Sequence, residues 1–281
     1  MSGFEVVLKR QTILSASTRD FRFVRRDGKN VSFQAGQFFR FTFTDNQGSF
    51  ERSYSLCNFE NKVIKGSATK PDDMLISSNL DLVISTVEGG RASELLFQGL
   101  SEVGATVKGP YGRLLLPKVF PKRLFLVATS VGVAPYITML EPLSTALKKH
   151  ELEVHFLFGV RDPSEFIYGE LLEEFEQKHE NFHLSVCYSR ETVDKPNAYK
   201  GYVQARIHDL LPQPDSDHFL LCGHPGMIDE VYAELKTLGF GVKQVVREKY
   251  VFSKETKTKT SIDLSGSDKD LLAEKMKKYL C

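Results

Sequence analysis

Three things are scarce in this chain. Close cysteine pairs are absent: Cys57, Cys187, Cys222 and Cys281 are widely spaced, which excludes the compact ligand clusters that zinc and iron-sulfur centres use. Long apolar runs are absent too, with none near the roughly 18 residues of a membrane span, and the start MSGFEVVLKR lacks the basic-then-apolar pattern of a secretory leader. Charge of one sign is missing: 37 Lys and Arg against 36 Asp and Glu leave a net charge of +1, far from the basic field that nucleic-acid binding requires. A cytoplasmic protein with reduced thiols is expected.

The sequence does have the means to fold. Over 281 residues, 41% hydrophobic and 26% charged residues match globular averages, and the length is that of about two domains. Up to about Leu116 the signals are strand-like: Phe4 to Leu14, Phe21 to Arg25, Gln37 to Phe43, Arg52 to Leu56, Leu80 to Thr86 and Ala105 to Val107, separated by glycine and proline punctuation. These short strands predict an antiparallel barrel. From Arg123 the runs LFLVAT, VHFLFGV, FHLSVCY and HFLLCG each precede a helical period, the pattern of a parallel sheet covered on both faces. The fold expected is therefore two-domain: an antiparallel β-barrel over 1–118, an α/β parallel-sheet domain over 119–253, and a tail, 254–281. Pro117 and Pro121 bracket the linker. In the tail, Leu272, Met276, Tyr279 and Leu280 share one face of a short amphipathic helix. The polar segment from Phe59 to Asn79 reads as a loop inserted between barrel strands.

The chemistry lies at the turns. ATSVGVAP, with Thr129, Gly132 and Pro135, ends the first strand of the parallel half and opens a helix, which aims N–H groups and partial positive charge at a phosphate; a purely structural turn reads the same way. Ligands bind beyond the carboxyl ends of such strands, here GVRDPSEFIY with Arg161, CYSRE and CGHPGM. Ser189 and Arg190 join a hydroxyl to a guanidinium, suited to a phosphate monoester such as the 2′-phosphate of NADPH, and Arg206 is expected to add to it. Cys222 meets a glycine at a strand end and reads equally as a small buried hydrophobe. In the barrel half, RSYS holds Arg52 for a phosphate, Tyr54 to stack on a planar ring and Ser55 to bond its edge. EGGRASELL is a second phosphate cradle by the same physics.

Taken in order, RSYS, GGRAS, GPYG, ATSVGVAP, FGVRDPSEFIY, SRE, CGHPGM and REKY resemble the ferredoxin-NADP reductase family of FAD flavoproteins, most of all its bacterial members, across residues from about 5 to 253. The resemblance implies FAD and NADPH as cofactors, a hydride passed between nicotinamide and flavin, and ferredoxin or flavodoxin as a separate, transient partner. It implies that Arg52 holds the FAD pyrophosphate, that Tyr54 stacks on the isoalloxazine, and that Ser55 bonds near the flavin nitrogen that takes the hydride. Gly90, Arg91, Ala92 and Ser93 would complete the pyrophosphate cradle. Thr129, Gly132, Pro135 and Arg161 would line the NADP side, and Ser189 and Arg190 the 2′-phosphate, with Tyr202 and Arg206 at the adenosine. Cys222 would lie beside the nicotinamide, and Glu248 and Tyr250 beside the flavin, so that Ser55, Cys222 and Glu248 form the expected catalytic set. Ser130 stands where the family carries glycine.

Residues 1 to 52 hold nine Lys or Arg and five Asp or Glu, a local excess of four positive charges suited to an acidic carrier. A monomer is expected. Two other functions fit the same residues: a reductase component serving an oxygenase or a cytochrome-linked system, and a low-turnover flavin-binding interaction protein.

Overall fold

The computed structural model describes residues 3–59, 62–63, 74–99, 102–149 and 151–250. The tail and its expected amphipathic helix lie outside the described residues.

The first half contains β1 (Phe4–Ile13), β2 (Thr18–Arg25), β3 (Val31–Gln34), β4 (Phe38–Asp45), β5 (Gly48–Ser55), β6 (Lys62–Val63), β7 (Met74–Ser77), β8 (Asn79–Ser85), helix α1 (Arg91–Phe97) and β9 (Gly104–Tyr111). Alternation sets the inward face: in β4 the phenylalanines at 39, 41 and 43 are buried while Arg40 and Thr44 face out. Phe21 and Phe23 of β2 point inward in the same way, so the barrel core is built largely of edge-to-face and tilted phenylalanine rings. Six strands run antiparallel in the order β5-β4-β9-β1-β2-β8. A bridge between Leu56 and Leu82, with the Cys57 N–H donating to the Asp81 carbonyl at 2.9 Å, joins the two edge strands and closes the barrel.

One sequence expectation is corrected here. Part of the supposed inserted loop is strand: Met74–Ser77 pairs antiparallel with Val31–Gln34, forming a small sheet of order β3-β7-β6. The reason is burial, since Leu75 and Ser77 point inward while Met74 is exposed.

After a stretch without regular structure the chain forms β10 (Arg123–Thr129), a single 3₁₀ turn (Ser130–Val133), α2 (Ala134–Lys149), β11 (Glu153–Val160), α3 (Gly169–Lys178), β12 (Phe182–Tyr188), β13 (Ala198–Lys200), α4 (Val203–Asp209), β14 (Asp217–Gly223), α5 (Pro225–Thr237) and β15 (Val245–Lys249). All neighbours are parallel, in the order β13-β12-β11-β10-β14-β15. The continuous apolar run of β10 is explained by its two covered faces: Leu124, Leu126 and Ala128 enter one core cluster, Phe125 and Val127 the other. Strand order reverses between β10 and β14, so a crevice opens beyond Thr129 and Gly223, where such sheets bind ligands.

The halves are also tied by polar contacts. The Gly36 N–H donates to the Thr138 hydroxyl of α2 at 2.9 Å. Gly36 has φ +94, and a β-carbon there would collide with the Leu114 carbonyl oxygen. Across a second contact, the Tyr168 hydroxyl lies 3.1 Å from Asp20 Oδ2 and 3.3 Å from Cys57 Sγ.

Candidate active site

The crevice at the strand reversal is built from close main-chain packing. Gly132 sits on the end of β14: a β-carbon on it would overlap the Cys222 carbonyl oxygen and lie 2.7 Å from the Gly223 α-carbon. Gly223, at φ +131, faces Thr129 equally tightly, and the Thr129 hydroxyl accepts from the His224 N–H at 2.9 Å. Pro135 is buried at the first turn of α2. Ser130, at φ +51, adopts the left-handed conformation that glycine takes without penalty, and it is exposed beside the crevice.

Ser55, Cys222, Glu248 and Tyr250 meet at this place. The end of β5 brings Ser55, the end of β14 brings Cys222, and β15 and the residue after it bring Glu248 and Tyr250. The Tyr250 hydroxyl donates to Ser55 Oγ at 2.7 Å, and Ser55 donates to Glu248 Oε1 at 2.9 Å. The Tyr250 N–H is anchored on the Gly223 carbonyl at 2.9 Å. Burial pushes the Glu248 carboxyl above its ordinary range, opposed in part by the Ser55 hydrogen bond. Burial, reinforced by the Glu248 carboxylate, raises the Cys222 thiol as well, and Tyr250 is raised by burial and by the same two neighbours. At neutral pH Cys222 is therefore a thiol and Tyr250 a phenol. The chain Tyr250 to Ser55 to Glu248 can hold or pass a proton at the Ser55 oxygen without a formal charge on the tyrosine.

On the barrel side Tyr54 is half-buried with its ring edge-on to Phe41 at 5.8 Å, and burial raises its phenol. Arg52 donates to its neighbour's carbonyl, Glu51 O, at 2.8 Å and meets no carboxylate among the described residues. Arg91 differs: its guanidinium is bidentate to Asp45 and also donates to the Gly48 carbonyl at 2.8 Å. That pairing holds the Asp45 carboxyl below its ordinary range. Arg91 is thus turned to its own barrel. Gly90 precedes α1, Ala92 and Ser93 are buried in its first turn, and the Ser93 hydroxyl accepts from the Val87 N–H at 2.8 Å, which fixes the loop. A donor set of one guanidinium with no carboxylate partner among the described residues, one serine hydroxyl and a glycine-bearing loop with open space around Gly89 fits a dinucleotide.

At the tips of β11 and β12 the Ser189 N–H donates to the Val160 carbonyl and the Arg190 N–H to the Arg161 carbonyl, at 3.0 and 2.9 Å. Arg190 is exposed and has no ion pair among the described residues. Tyr202, 69% exposed, follows Gly201, whose N–H donates to the Tyr188 carbonyl, so it stands by the same tip. Arg206 does not join them. Its Nε donates to Ser185 at 3.3 Å, and its guanidinium lies 4.2 Å from the Tyr199 ring centre and 3.8 Å from Asp209. Ser185 is four residues before Ser189, or roughly 13 Å along a strand, so the Arg206 guanidinium lies down the sheet from the tip where a phosphate contact is expected of it. Within residues 1–52, Arg10, Arg25, Arg26 and Arg40 stand within 4.0 Å of carboxylates of the same segment, already counted in its excess of four, and Arg22 alone takes a carboxylate from outside it, Asp81.

Residues 5–115 match the oxidoreductase FAD-binding domain family and residues 126–232 the oxidoreductase NAD-binding domain family. A ferredoxin-NADP reductase B of Sorangium cellulosum is 30% identical over 256 residues, covering 88% of this chain and 97% of its own. The chain belongs to the ferredoxin-NADP reductase family. It is an oxidoreductase with an FAD-binding and an NAD(P)-binding domain. A toluate 1,2-dioxygenase electron transfer component of Pseudomonas putida is 28% identical over 176 residues, 62% of this chain and 51% of that protein. The fold is that of a Neisseria gonorrhoeae ferredoxin NADP+ reductase solved with FAD and NADP, with a TM-score of 0.71 at 19% identity over 89% of this chain and 99% of that one. Among the described residues no helix is long and apolar enough to cross a membrane.

Within this ferredoxin-NADP reductase framework several residues escaped sequence reasoning. Thr138, Tyr168, Asp20, Ser17 and Glu165 form contacts between the halves, and nothing in local spacing marks them. Tyr168 has φ +56, unusual for a bulky residue, which no sequence signal discloses.

Proposed function

We propose that this protein is an NADPH-dependent flavoprotein reductase, with FAD on the barrel of residues 1–118, the nicotinamide nucleotide on residues 119–253, and ferredoxin or flavodoxin as electron carrier. The observation that carries this reading is the hydrogen-bonded chain from Tyr250 through Ser55 to Glu248, which crosses from one domain to the other beside Cys222 at the strand reversal. Bound FAD supplies the redox chemistry, exchanging a hydride with the nicotinamide and single electrons with the carrier. Arg52 and the Gly90–Ser93 loop hold its pyrophosphate, Tyr54 provides a stacking face, and Ser55 orients the reacting edge. Tyr250 lies over Ser55 and must make room for the nicotinamide, which makes it a gate. Cys222, buried and protonated, supplies a neutral wall there, and Glu248 fixes the serine rotor. Ser189 and the open guanidinium of Arg190 favour the nucleotide bearing an extra phosphate.

The test is anaerobic stopped-flow of the flavin absorbance with NADPH and, separately, NADH. Fast bleaching by NADPH and slow bleaching by NADH is the expected result; a yellow protein that neither nucleotide reduces overturns the enzyme. The similarity to an oxygenase electron transfer component favours a second reading, in which the carrier belongs to an oxygenase. Comparable rates with NADH would favour it.

A further inference from the structure

Arg161 follows β11 at the tip proposed to receive the nucleotide phosphate, and its carbonyl accepts from the Arg190 N–H. Its side chain is already engaged. One terminal nitrogen lies 2.5 Å from Glu165 Oε1, and the carboxylate is the better shielded partner, 13% exposed against 49% for the guanidinium. Glu165 ends the short turn Pro163–Glu165, which Asp162 caps by accepting from the Ser164 N–H at 3.0 Å. The same Glu165 oxygen accepts from the Ser17 hydroxyl at 3.2 Å, and Ser17 belongs to the barrel turn between β1 and β2. That turn is itself fixed, since the Ser17 carbonyl accepts from the Thr86 N–H at 2.7 Å. Asp162, the other acid at the tip, bonds Ser164, whose N–H and hydroxyl draw its carboxyl below the ordinary range.

A guanidinium at a phosphate site is thus held by an anion anchored from the opposite domain. An arriving phosphate must share Arg161 with Glu165 or displace it, and a guanidinium already paired with a fixed carboxylate attracts a phosphate less strongly. We infer that Glu165 sets the affinity for phosphorylated nucleotide by competing for Arg161, with Ser17 of the barrel holding the competitor in place. The inference rests on the proposed nucleotide site and adds to it a negative determinant. Glu165 is a positioning residue that acts through Arg161.

The experiment is titration of the full-length, FAD-loaded protein with adenosine 2′,5′-bisphosphate, followed by calorimetry. Glu165→Gln keeps an acceptor for Ser17 and removes the charge, and it is expected to bind roughly fivefold or more tightly. Arg161→Ala is expected to weaken binding, and Glu165→Gln is expected to change nothing further in that background, because its effect passes through the arginine. Glu165→Ala serves as a second variant with the same expectation, and flavin absorbance confirms that each protein is folded. Unchanged or weaker binding in both Glu165 variants, or tightening that persists without Arg161, overturns the inference. Normal binding by the parent protein in that case leaves the proposed nucleotide site standing, whereas a parent that binds neither the bisphosphate nor NADP+ overturns both.

Discussion

The two turns proposed to face phosphates use glycine for opposite reasons. After β10, Gly132 is required by packing, because its α-carbon rests on the Cys222–Gly223 main chain and leaves no volume for a side chain. After β8, Gly89 is required by conformation alone: φ is +67 and nothing lies within 4 Å of the place a β-carbon would take. The arginines of the two halves differ in the same spirit. Arg91 is locked to Asp45 within the barrel, whereas Arg190 is exposed and uncommitted. The barrel loop is therefore a finished scaffold whose charge is internally balanced, suited to a resident cofactor. At the parallel-sheet tip Arg161 is paired with Glu165, while Arg190 has no ion pair among the described residues and suits the exchanging nucleotide proposed for that tip. Two glycine turns that each follow a strand, EGG and TSVG, are physically distinct devices.

The largest effect should separate packing from conformation. Gly132→Ala sets a methyl against a carbonyl that cannot rotate away, and we expect a loss of about 3 kcal/mol in denaturant unfolding. A variant as stable as the parent would erase the first half of the comparison. Next in size, Arg190→Ala should weaken NADPH by roughly tenfold to a hundredfold, the value of about 1.5–3 kcal/mol for a charge-assisted contact, and leave NADH nearly unchanged. Equal losses for both nucleotides would show that the guanidinium does not face the 2′-phosphate. Gly89→Ala should cost only about 1 kcal/mol, the penalty of a left-handed residue in open space. A cost equal to that at Gly132 would mean that this loop too is packed.

How much of this is legible in the sequence depends on the range of the interaction. Alternation alone puts Phe39, Phe41 and Phe43 on one face, and the unbroken run of β10 announces two covered faces. The barrel-to-sheet order and the ends of the parallel strands follow from the same local signals. Strand β7 does not, because four residues in a polar stretch carry too little periodicity and its pairing with β3 is remote. The contacts of Arg206 are not legible either, because helix phase decides which strand residue a side chain reaches, and here Tyr199 and Ser185 engage it. The meeting of Ser55 with Glu248, 193 residues apart, comes through family resemblance and not through spacing. The Tyr168 contact with Asp20 and the Ser17 contact with Glu165 leave no trace in the sequence, since each needs both domains at once.

The smallest effect concerns the group that joins the two regions. Burial raises the Glu248 carboxyl above its ordinary value of 4.5, so the folded state prefers the protonated form. The associated stability is fully present below the unfolded-state value and is lost as pH rises through the higher native one. Glu248→Gln keeps an acceptor for Ser55 and carries no titrating group, so it should become more stable relative to the parent as pH climbs from about 4 to about 8. Melting temperatures of the two proteins across that range provide the measurement. A widening gap toward alkaline pH means that desolvation outweighs the Ser55 hydrogen bond. Parallel curves would mean that the hydrogen bond fully offsets burial, and a gap that widens toward acid would place Glu248 among ordinary stabilised carboxylates, with its charge held by the barrel serine and not opposed by its surroundings.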